Sequence, residues 1–433
     1  MLKNFVLKGN ICYSVNKSEI KVFPDSYLVC IEGKTVGIFE ELPQQYKELS
    51  LVDYGDKLII PGMIDLHIHA PQYAFRGMGM DLELMEWLQQ QAFVEEAKYS
   101  DLDYARDAYS IFAKQMQKSA TTRACIFATR HRKATTLLMD LMEDTGLITY
   151  VGKVNMDREA PQNLCEKDAD SSATETMEWL EENRSRYTRT MPILTPRFLP
   201  SCTNELLEKL QGVREEYHLP VQSHLSENPE EITFVKSLFP DAGFYGDGYD
   251  KYGFFGKEAK TIMAHCVWSE EEEVVRMKQN GVFVAHCPAS NMNLSSGIAP
   301  IKRYLDEGIK VGLGSDVAAG QSESIFRAMT DAIQVSKLYW RHVDSSCKPL
   351  TFEEAFYMAT KGGGEFFGNV GSFEEGYELD AIVLDDTCIP YPQELSVRQR
   401  LERAVYLSLD LMGICAKYVA GEEVKCCRTH VLT

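Results

Sequence analysis

The sequence predicts an α/β protein, a (β/α)8 TIM-like barrel with a small β-sandwich domain formed from both chain ends. The first sixty residues contain short strand-like runs and tight turns, which indicate an antiparallel β-rich opening. From residue 60, apolar strand-like runs alternate with helical patterns, as in successive βα units of a parallel sheet. From about residue 368 the chain returns to β character. We therefore predict a small β domain from 1–60 plus 370–433, with a barrel domain from 61–369 inserted between.

The strands of the small domain are predicted from both ends of the chain. The opening strands are placed at 5–13, 27–32 and 35–39, with a tight turn at Gly33 and Lys34. The run at 380–384 is also strand-like, and we expect it to pair with the N-terminal strands.

The barrel elements follow in order along the middle of the chain. Strands are predicted at 120–127, 150–155, 192–195, 219–224, 261–265, 282–286 and 309–314, and helices at 134–143, 174–186 and 204–216. Ser269 with Glu272, and Thr351 with Glu354, predict two further helices that each begin with a capping box. A dinucleotide-binding sheet is disfavoured, because the glycines at 77 and 79 lack a third at the required spacing.

Composition limits the partners of the chain. With 45 basic and 64 acidic residues, the formal charge is −19, so nucleic acid and anionic membranes are poor partners, while small neutral or cationic substrates are suitable. The twelve cysteines, including the adjacent Cys426 and Cys427, contain no Cys-x-x-Cys pair and are interpreted as reduced thiols. No signal peptide and no run of ~18 apolar residues is found, so we predict a soluble, cytoplasmic protein.

The stretch IPGMIDLHIHAPQY at 60–73 ends a predicted strand with His67 and His69. Residues two apart on a strand point to the same side, so these imidazoles form half of a metal site. Two packed structural histidines are the alternative for this stretch alone. The rest of the chain therefore has to supply further ligands.

Three more polar residues end barrel strands: His224 after VQS, His265 after TIMA and Asp316 after VGLGS. Active sites of such barrels lie at the carboxyl ends of the strands. Neutral imidazoles with a carboxylate suit Zn²⁺, and Fe²⁺ or another divalent ion is the alternative.

Glu227 lies three residues beyond His224, in LSENPEE. A carboxylate there can reach the water that a metal activates without being a ligand, and hydrolysis needs such a proton carrier. The alternative is that Glu227 only favours the start of a helix near Pro229.

At these residues the sequence resembles the amidohydrolase superfamily and, within it, the guanine deaminase family. The matching segments are PGMIDLHIHAPQY at 61–73, VGKVNMD at 151–157, TPRFLPSC at 195–202, QSHLSEN at 222–228, MAHC at 263–266, AHCPASNMNLSSG at 285–297 and VGLGSDVAAG at 311–320. The metal pattern indicates only the superfamily, whereas HIHAPQY and TPRF resemble the purine-binding segments of the narrower family. The resemblance implies hydrolytic deamination of guanine to xanthine and ammonia in purine catabolism, with a homodimer common among relatives.

The resemblance also implies a role for each site residue. One zinc ion per subunit would be held by His67, His69, His224 and Asp316, and Asp316 would also hold the nucleophile. Glu227 would be the general acid/base, and His265 would contact the water or the substrate. Gln72, Arg197 and Phe198 would bind the purine, through the amide, the guanidinium and a stacked ring.

Other residues of these segments are interpreted as structural. Ser315 and Ala319 replace the threonine and glycine usual in relatives, and Lys153 is not expected to be the carbamylated lysine of two-metal members. His286 and Asn291 are interpreted as shaping a loop. Solvated side chains are predicted for His131, His218, His342 and His430.

Two rival functions stay open at this stage. One is another aminohydrolase or a chlorohydrolase acting on a pterin, a triazine, a cytosine-like ring or an adenine nucleoside. The other is a non-catalytic scaffold, which is expected to have lost metal ligands, although none is missing here.

Overall fold

The computed structural model describes residues 3–424, so Cys426, Cys427 and His430 lie outside the described residues. The barrel strands are Met63–His69, Thr121–Phe127, Ile148–Gly152, Val154–Asn155, Thr190–Pro192, Thr195–Pro196, Val221–Leu225, Thr261–His265, Phe283–His286 and Lys310–Leu313. The third and fourth barrel positions are each built from two short segments, so these ten strands fill eight positions. The structure thus has the barrel type that the alternating pattern predicts.

Parallel pairing arranges the barrel strands in chain order. Two ladders, from Met63–His69 to Thr190–Pro192 and from Val221–Leu225 to Lys310–Leu313, meet through a bridge between Leu194 and Val221. The first and last positions approach each other where His69 N donates to the Val317 carbonyl at 3.1 Å and Asp316 N donates to the His67 carbonyl at 2.8 Å. The strand ends that carry the predicted site residues therefore lie together.

Helices connect the strands and surround them. Those of at least ten residues are Leu102–Lys118, Arg132–Thr145, Ala169–Asn183, Asn204–Tyr217, Pro229–Leu238, Glu271–Asn280, Ile325–His342 and Val397–Tyr406. Shorter ones are Leu84–Trp87, Phe93–Glu96, Asp247–Asp250, Pro288–Asn293, Ile301–Glu307 and Phe352–Tyr357.

One predicted capping box is confirmed and the other is wrong. Thr351 and Glu354 make both reciprocal bonds of a capping box at the start of Phe352–Tyr357. The helix predicted to begin at Ser269 has Glu270 at its N-cap instead, without a side-chain bond to the helix. The glutamate three residues on, Glu273, turns away to accept from Ser226 Oγ and Gly246 N, so it cannot complete the box.

Strands from both chain ends form one seven-stranded sheet, which we call the end sheet. Its strands are Phe5–Asn16, Glu19–Ile31, Lys34–Phe39, Ser50–Pro61, Ala381–Leu384, Ile414–Val419 and Glu422–Val424. Ala381–Leu384 pairs antiparallel with residues 58–61, so the strand predicted near 380–384 does join the N-terminal strands. One face of the end sheet has its own core around Phe5, Leu28 and Val383, while Ile60 and Ile382 belong to the core shared with the barrel.

Two composition-based expectations can be compared with the described part of the chain. Among residues 3–424, no helix combines the length and the apolar character needed to cross a bilayer. The ten cysteines in this part are free thiols.

Candidate active site

The structure brings His67, His69, His224 and Asp316 together at the carboxyl end of the barrel. His69 Nε2 lies 3.2 Å from both His67 Nε2 and His224 Nε2. Asp316 Oδ1 lies 3.2 Å from His67 Nε2 and 3.4 Å from His69 Nε2. We call these four residues the donor cluster.

The donor cluster fits a divalent cation. The Nδ1 of His224 donates to the Arg197 carbonyl at 2.6 Å, so in a neutral ring the lone pair is on Nε2 and faces the cluster. Burial, followed by the positive potential of neighbouring groups, lowers the pKa of His67, His69 and His224 well below the usual histidine value. Neutral imidazole is the form that binds metals, so the three rings are in the ligand state without further change.

An aromatic ring that sequence reasoning missed supports the donor cluster. Phe127 ends the second barrel strand, and its ring centroid lies 4.9, 4.6 and 5.0 Å from those of His67, His69 and His224. A ring in contact with all three imidazoles restricts their rotation and keeps the surroundings apolar.

Asp65 fixes the backbone on either side of the donor cluster. Its Oδ1 accepts from His67 N and Ser315 N, both at 3.1 Å, and its Oδ2 accepts from the Ser315 hydroxyl at 2.5 Å. Burial raises the pKa of Asp65 to about 7, although the bonds from Ser315 and His67 oppose this. Serine at 315 therefore makes the hydroxyl contact for which threonine would also serve.

Glu227 and His265 lie beside the donor cluster. His265 Nε2 is 3.4 Å from Glu227 Oε2 and 3.8 Å from Asp316 Oδ2. The Nδ1 of His265 donates to Asn291 Oδ1 at 2.9 Å, so Asn291, whose carbonyl also accepts from Gly297 N within its loop, additionally orients His265. The Glu227 carboxylate accepts from the Ser296 hydroxyl at 3.1 Å, a contact that sequence reasoning did not predict.

Burial sets the protonation of Glu227. Burial and, to a smaller extent, the nearby Asp316 carboxylate raise the pKa of Glu227 to about 8, against the lowering effect of the Ser296 hydroxyl. A carboxyl group with a pKa near neutrality can both accept and donate a proton at working pH, which suits a general acid/base. Its backbone is fixed as well, since Glu227 N donates to Glu231 Oε2 at 3.1 Å.

The predicted purine-binding residues converge on a buried carboxylate that sequence reasoning missed, that of Glu96. Arg197 donates to both Glu96 oxygens, at 2.5 and 3.1 Å, and Gln72 Nε2 donates to Oε1 at 2.8 Å. The Phe198 ring lies near the donor cluster, with its centroid 6.3 Å from that of His224.

One pocket joins the predicted base-binding side chains to Glu227, to His265 and to three members of the donor cluster. Its empty volume, which includes space open to solvent, is about 390 Å³, and it is lined by His69, Gln72, Leu84, Trp87, Leu88, Arg197, Phe198, His224, Glu227, His265, Leu294, Asp316 and Ala319. Leu84, Trp87 and Leu88 come from a segment in which no helix or strand is predicted from the sequence. Their apolar side chains and Phe198 suit a flat, uncharged ring.

The remaining singled-out residues lie outside this pocket. Lys153 donates to Glu166 at 2.5 Å with both side chains buried, which agrees with its structural interpretation. His286 is buried, and His218 and His342 are exposed. The prediction that His131 is solvated is wrong, because the residue is half-buried and its Nε2 is shielded from solvent. Burial lowers the pKa of His131 to about 4, with Arg130 and Lys153 adding to the effect.

Comparisons with known proteins agree with this geometry. The sequence profile of the amidohydrolase family matches residues 58–412. The guanine deaminases of Dictyostelium discoideum and Mus musculus are 34% and 35% identical, over 97% of this chain and 98% and 96% of those proteins. A crystal structure of guanine deaminase from C. acetobutylicum, with guanine bound in the active site, is 45% identical with a TM-score of 0.94, covering 98% of this chain and 100% of that one.

The chain therefore belongs to the amidohydrolase family. The particular relatives that it resembles along nearly its whole length are guanine deaminases.

Proposed function

We propose that the chain catalyses the hydrolytic deamination of guanine to xanthine and ammonia. One observation carries this assignment: a single pocket is lined both by Glu227 with His69, His224 and Asp316 of the donor cluster and by Gln72, Arg197 and Phe198. The first set suits hydrolysis, and the second set suits an oxopurine. The relatives of known name support the same substrate.

We further propose that one zinc ion per subunit is held by His67, His69, His224 and Asp316. Three neutral imidazole nitrogens and one carboxylate oxygen are donors that zinc takes, and Fe²⁺ is the alternative for the same set. When bound there, the ion supplies Lewis-acid activation of the attacking water. Metal analysis of the purified protein identifies the ion.

The residues of the pocket then carry the proton and the nucleophile. Glu227 accepts a proton from the attacking water and delivers it to N3 of the purine, while Asp316 holds the water oxygen for attack on C2. Glu227 next takes the remaining hydroxyl proton and delivers it to the departing amine. The C2–N bond breaks, ammonia leaves, and C2 keeps the oxygen as the new carbonyl of xanthine. His265, 3.4 Å from Glu227, contacts the water or the substrate.

Recognition of the base is assigned to the other side of the pocket. The Arg197 guanidinium donates to the carbonyl O6, the Gln72 amide meets the purine edge, and the Phe198 ring stacks on the base. All three side chains are buried, so the polar groups of Gln72 and Arg197 are shielded from bulk water.

The division into domains is also proposed, with a small β domain from 1–60 plus 370–433 and a barrel domain from 61–369. The separate core on one face of the end sheet supports this division and the sandwich form of the small domain. A homodimer, a cytoplasmic location and a role in purine catabolism stay predictions.

The proposed activity is tested with purified protein supplied with zinc. We expect loss of guanine absorbance with release of one ammonia per guanine, and much slower turnover of adenosine, cytosine, a pterin and an aminotriazine. Preference for one of those heterocycles would instead establish the rival hydrolase. A protein that binds zinc but turns over none of them would favour the scaffold.

A further inference from the structure

We propose that Glu96 is a positioning and specificity residue of the purine pocket. Its carboxylate fixes the donors of Arg197 and Gln72 and cancels the charge of Arg197, so that the pocket selects a neutral oxopurine over its anions. This role rests on the proposed guanine deaminase activity.

The geometry fixes both donors. Arg197 meets Glu96 with two nitrogens, Nη1 at 2.5 Å and Nη2 at 3.1 Å, in the fork arrangement that sets the plane of the guanidinium. Gln72 Nε2 donates to Glu96 at 2.8 Å, and Gln72 Oε1 accepts from Ala318 N at 3.2 Å. The amide therefore has one orientation, with its nitrogen toward Glu96.

The surroundings make the charge of Glu96 important. Its side chain is fully buried, Arg197 is 2% exposed, and the Phe93 ring centroid lies 5.0 Å from the guanidinium carbon. Away from water, a positive charge attracts anions far more strongly than at a surface. The Glu96 carboxylate leaves the pair neutral while the remaining N–H groups of Arg197 stay available to a carbonyl oxygen.

Glu96 acts through its two partners. Gln72 and Arg197 line the pocket, whereas Glu96 does not, so it has no contact with the substrate and is not a catalytic residue. Arg197 also accepts from His224 Nδ1 through its carbonyl, so its backbone is fixed independently of Glu96. Loss of the carboxylate should therefore change purine binding and leave metal binding intact.

Charge cancellation has a chemical consequence for this reaction. Guanine is neutral at neutral pH, xanthine ionises more readily, and urate is an anion. An uncompensated guanidinium would hold anionic oxopurines, including ionised product, more tightly than the substrate. Glu96 thus favours entry of guanine and release of xanthine.

The test uses three variants of the zinc-loaded protein. Glu96→Gln keeps the shape and removes the charge, and Glu96→Asp keeps the charge at a shorter reach. Glu95→Gln is the matched control, because Glu95 lies in the same helix, is also buried, and pairs with Lys98 and Tyr104 outside the pocket. The measurements are zinc content, kcat and KM for guanine, and inhibition constants for xanthine and urate at neutral pH.

For Glu96→Gln we expect full zinc content, a KM for guanine raised about tenfold, and inhibition constants for urate and xanthine lowered about tenfold. Glu96→Asp should raise KM without strengthening inhibition by urate, and Glu95→Gln should match the wild type. Unchanged constants in Glu96→Gln, or weaker binding of guanine and urate in parallel, would overturn the role of Glu96.

The experiment distinguishes failure of the proposed deaminase activity from failure of the proposed role of Glu96. If wild-type protein does not deaminate guanine, the proposed function is wrong, and calorimetric binding of urate to wild type and Glu96→Gln still tests charge cancellation. An affinity for urate about tenfold higher in Glu96→Gln than in the wild type supports charge cancellation, and equal affinity in the two proteins overturns it.

Discussion

Glu227 is held at its carboxylate and at its backbone. The Ser296 hydroxyl donates to Oε1, His265 Nε2 faces Oε2, and the backbone N–H donates to Glu231. The neighbours His265 and Asp316 have left-handed backbone angles, φ 73° and 46°, which cost about 1–3 kcal/mol each. Such strain is typical of functional sites, where the orientation of a side chain is maintained at a cost in the stability of the fold.

Removal of the Glu227 charge should separate turnover from binding. Glu227→Gln keeps the size of the side chain but cannot carry a proton, so we expect kcat to fall by about 10²–10⁴ while zinc content and guanine affinity persist. Ammonia release and calorimetry measure the two effects. Glu230→Gln, at an exposed position in the first turn of the helix that follows, is the control, and near-normal turnover by Glu227→Gln would remove the residue from the mechanism.

Ser296 should tune the pH dependence. Its hydroxyl stabilises the charged form of Glu227 and so lowers the pKa of that group. In Ser296→Ala the pKa of Glu227 rises, and because the reaction begins with ionised Glu227, the acidic limb of kcat/KM should move to higher pH. Profiles of both proteins measure the shift, with Ser295→Ala at the exposed neighbouring position as control. A limb that stays in place or moves to lower pH would contradict this.

The sequence was sufficient to locate the residues that end strands, because position on a barrel strand fixes direction. It was insufficient for Glu96, Asn291 and Ser296, whose roles depend on tertiary contacts. Arg197 and Glu96 are 101 residues apart, and Glu96 lies beside Glu95 and Lys98 in a stretch that resembles a solvated surface. Its burial is visible only once the neighbouring side chains are placed.

At the scale of elements, the turn at 315–320 carries Asp316 from the last barrel strand into the site. Gly320 N donates to the Asp316 carbonyl at 2.6 Å, and a Cβ on Gly320 would lie 1.9 Å from the Ser315 carbonyl oxygen. The tight turn therefore requires glycine at its end. Because Ser315 and Asp316 are adjacent, a shift of the Ser315 carbonyl also moves Asp316, which belongs to the donor cluster.

We expect Gly320→Ala to disturb this turn and weaken zinc binding about tenfold or more, with a parallel loss of activity at limiting zinc. Competition with a zinc chelator measures the affinity. Gly212→Ala is the control, because a Cβ at Gly212 meets no atom within 4 Å and should be neutral or slightly stabilising. Equal zinc affinity in the two variants would show that the turn tolerates the added carbon.

Helices and strands whose apolar residues form a clear run or recur at a regular spacing were predicted, and elements without such a pattern were not. The strand predicted at 261–265 is confirmed, because it is a buried apolar run with a single direction. The strand Ser50–Pro61 was not predicted, since its first eight residues are exposed or half-buried and show no apolar run. The helix predicted at 174–186 is Ala169–Asn183, which begins earlier because Asp168 caps it through Ser171 N.

At the scale of the molecule, buried polar contacts connect the barrel to the C-terminal part of the chain. Arg123, on the second barrel strand, donates to Asp380 at 2.7 and 3.1 Å and to Glu378 at 2.6 Å. Lys417 of the end sheet donates to three carbonyls near the start of that strand, including Thr121 at 3.0 Å. Asp380 directly precedes the strand that joins both chain ends, so Arg123 lies at the junction of the two proposed domains.

Arg123→Ala should therefore destabilise the whole molecule. It leaves the fully buried Asp380 without its guanidinium, which costs about 3–5 kcal/mol in the free energy of unfolding. Arg186→Ala removes an ion pair with Asp140 whose side chains are 47% and 39% exposed, and should cost less than about 1 kcal/mol. Urea denaturation midpoints compare the two. The double variant Arg123→Met with Asp380→Leu should recover part of the loss, because it removes the unpaired charge. Equal midpoints for the two single variants would show that this ion pair does not hold the barrel to the end sheet.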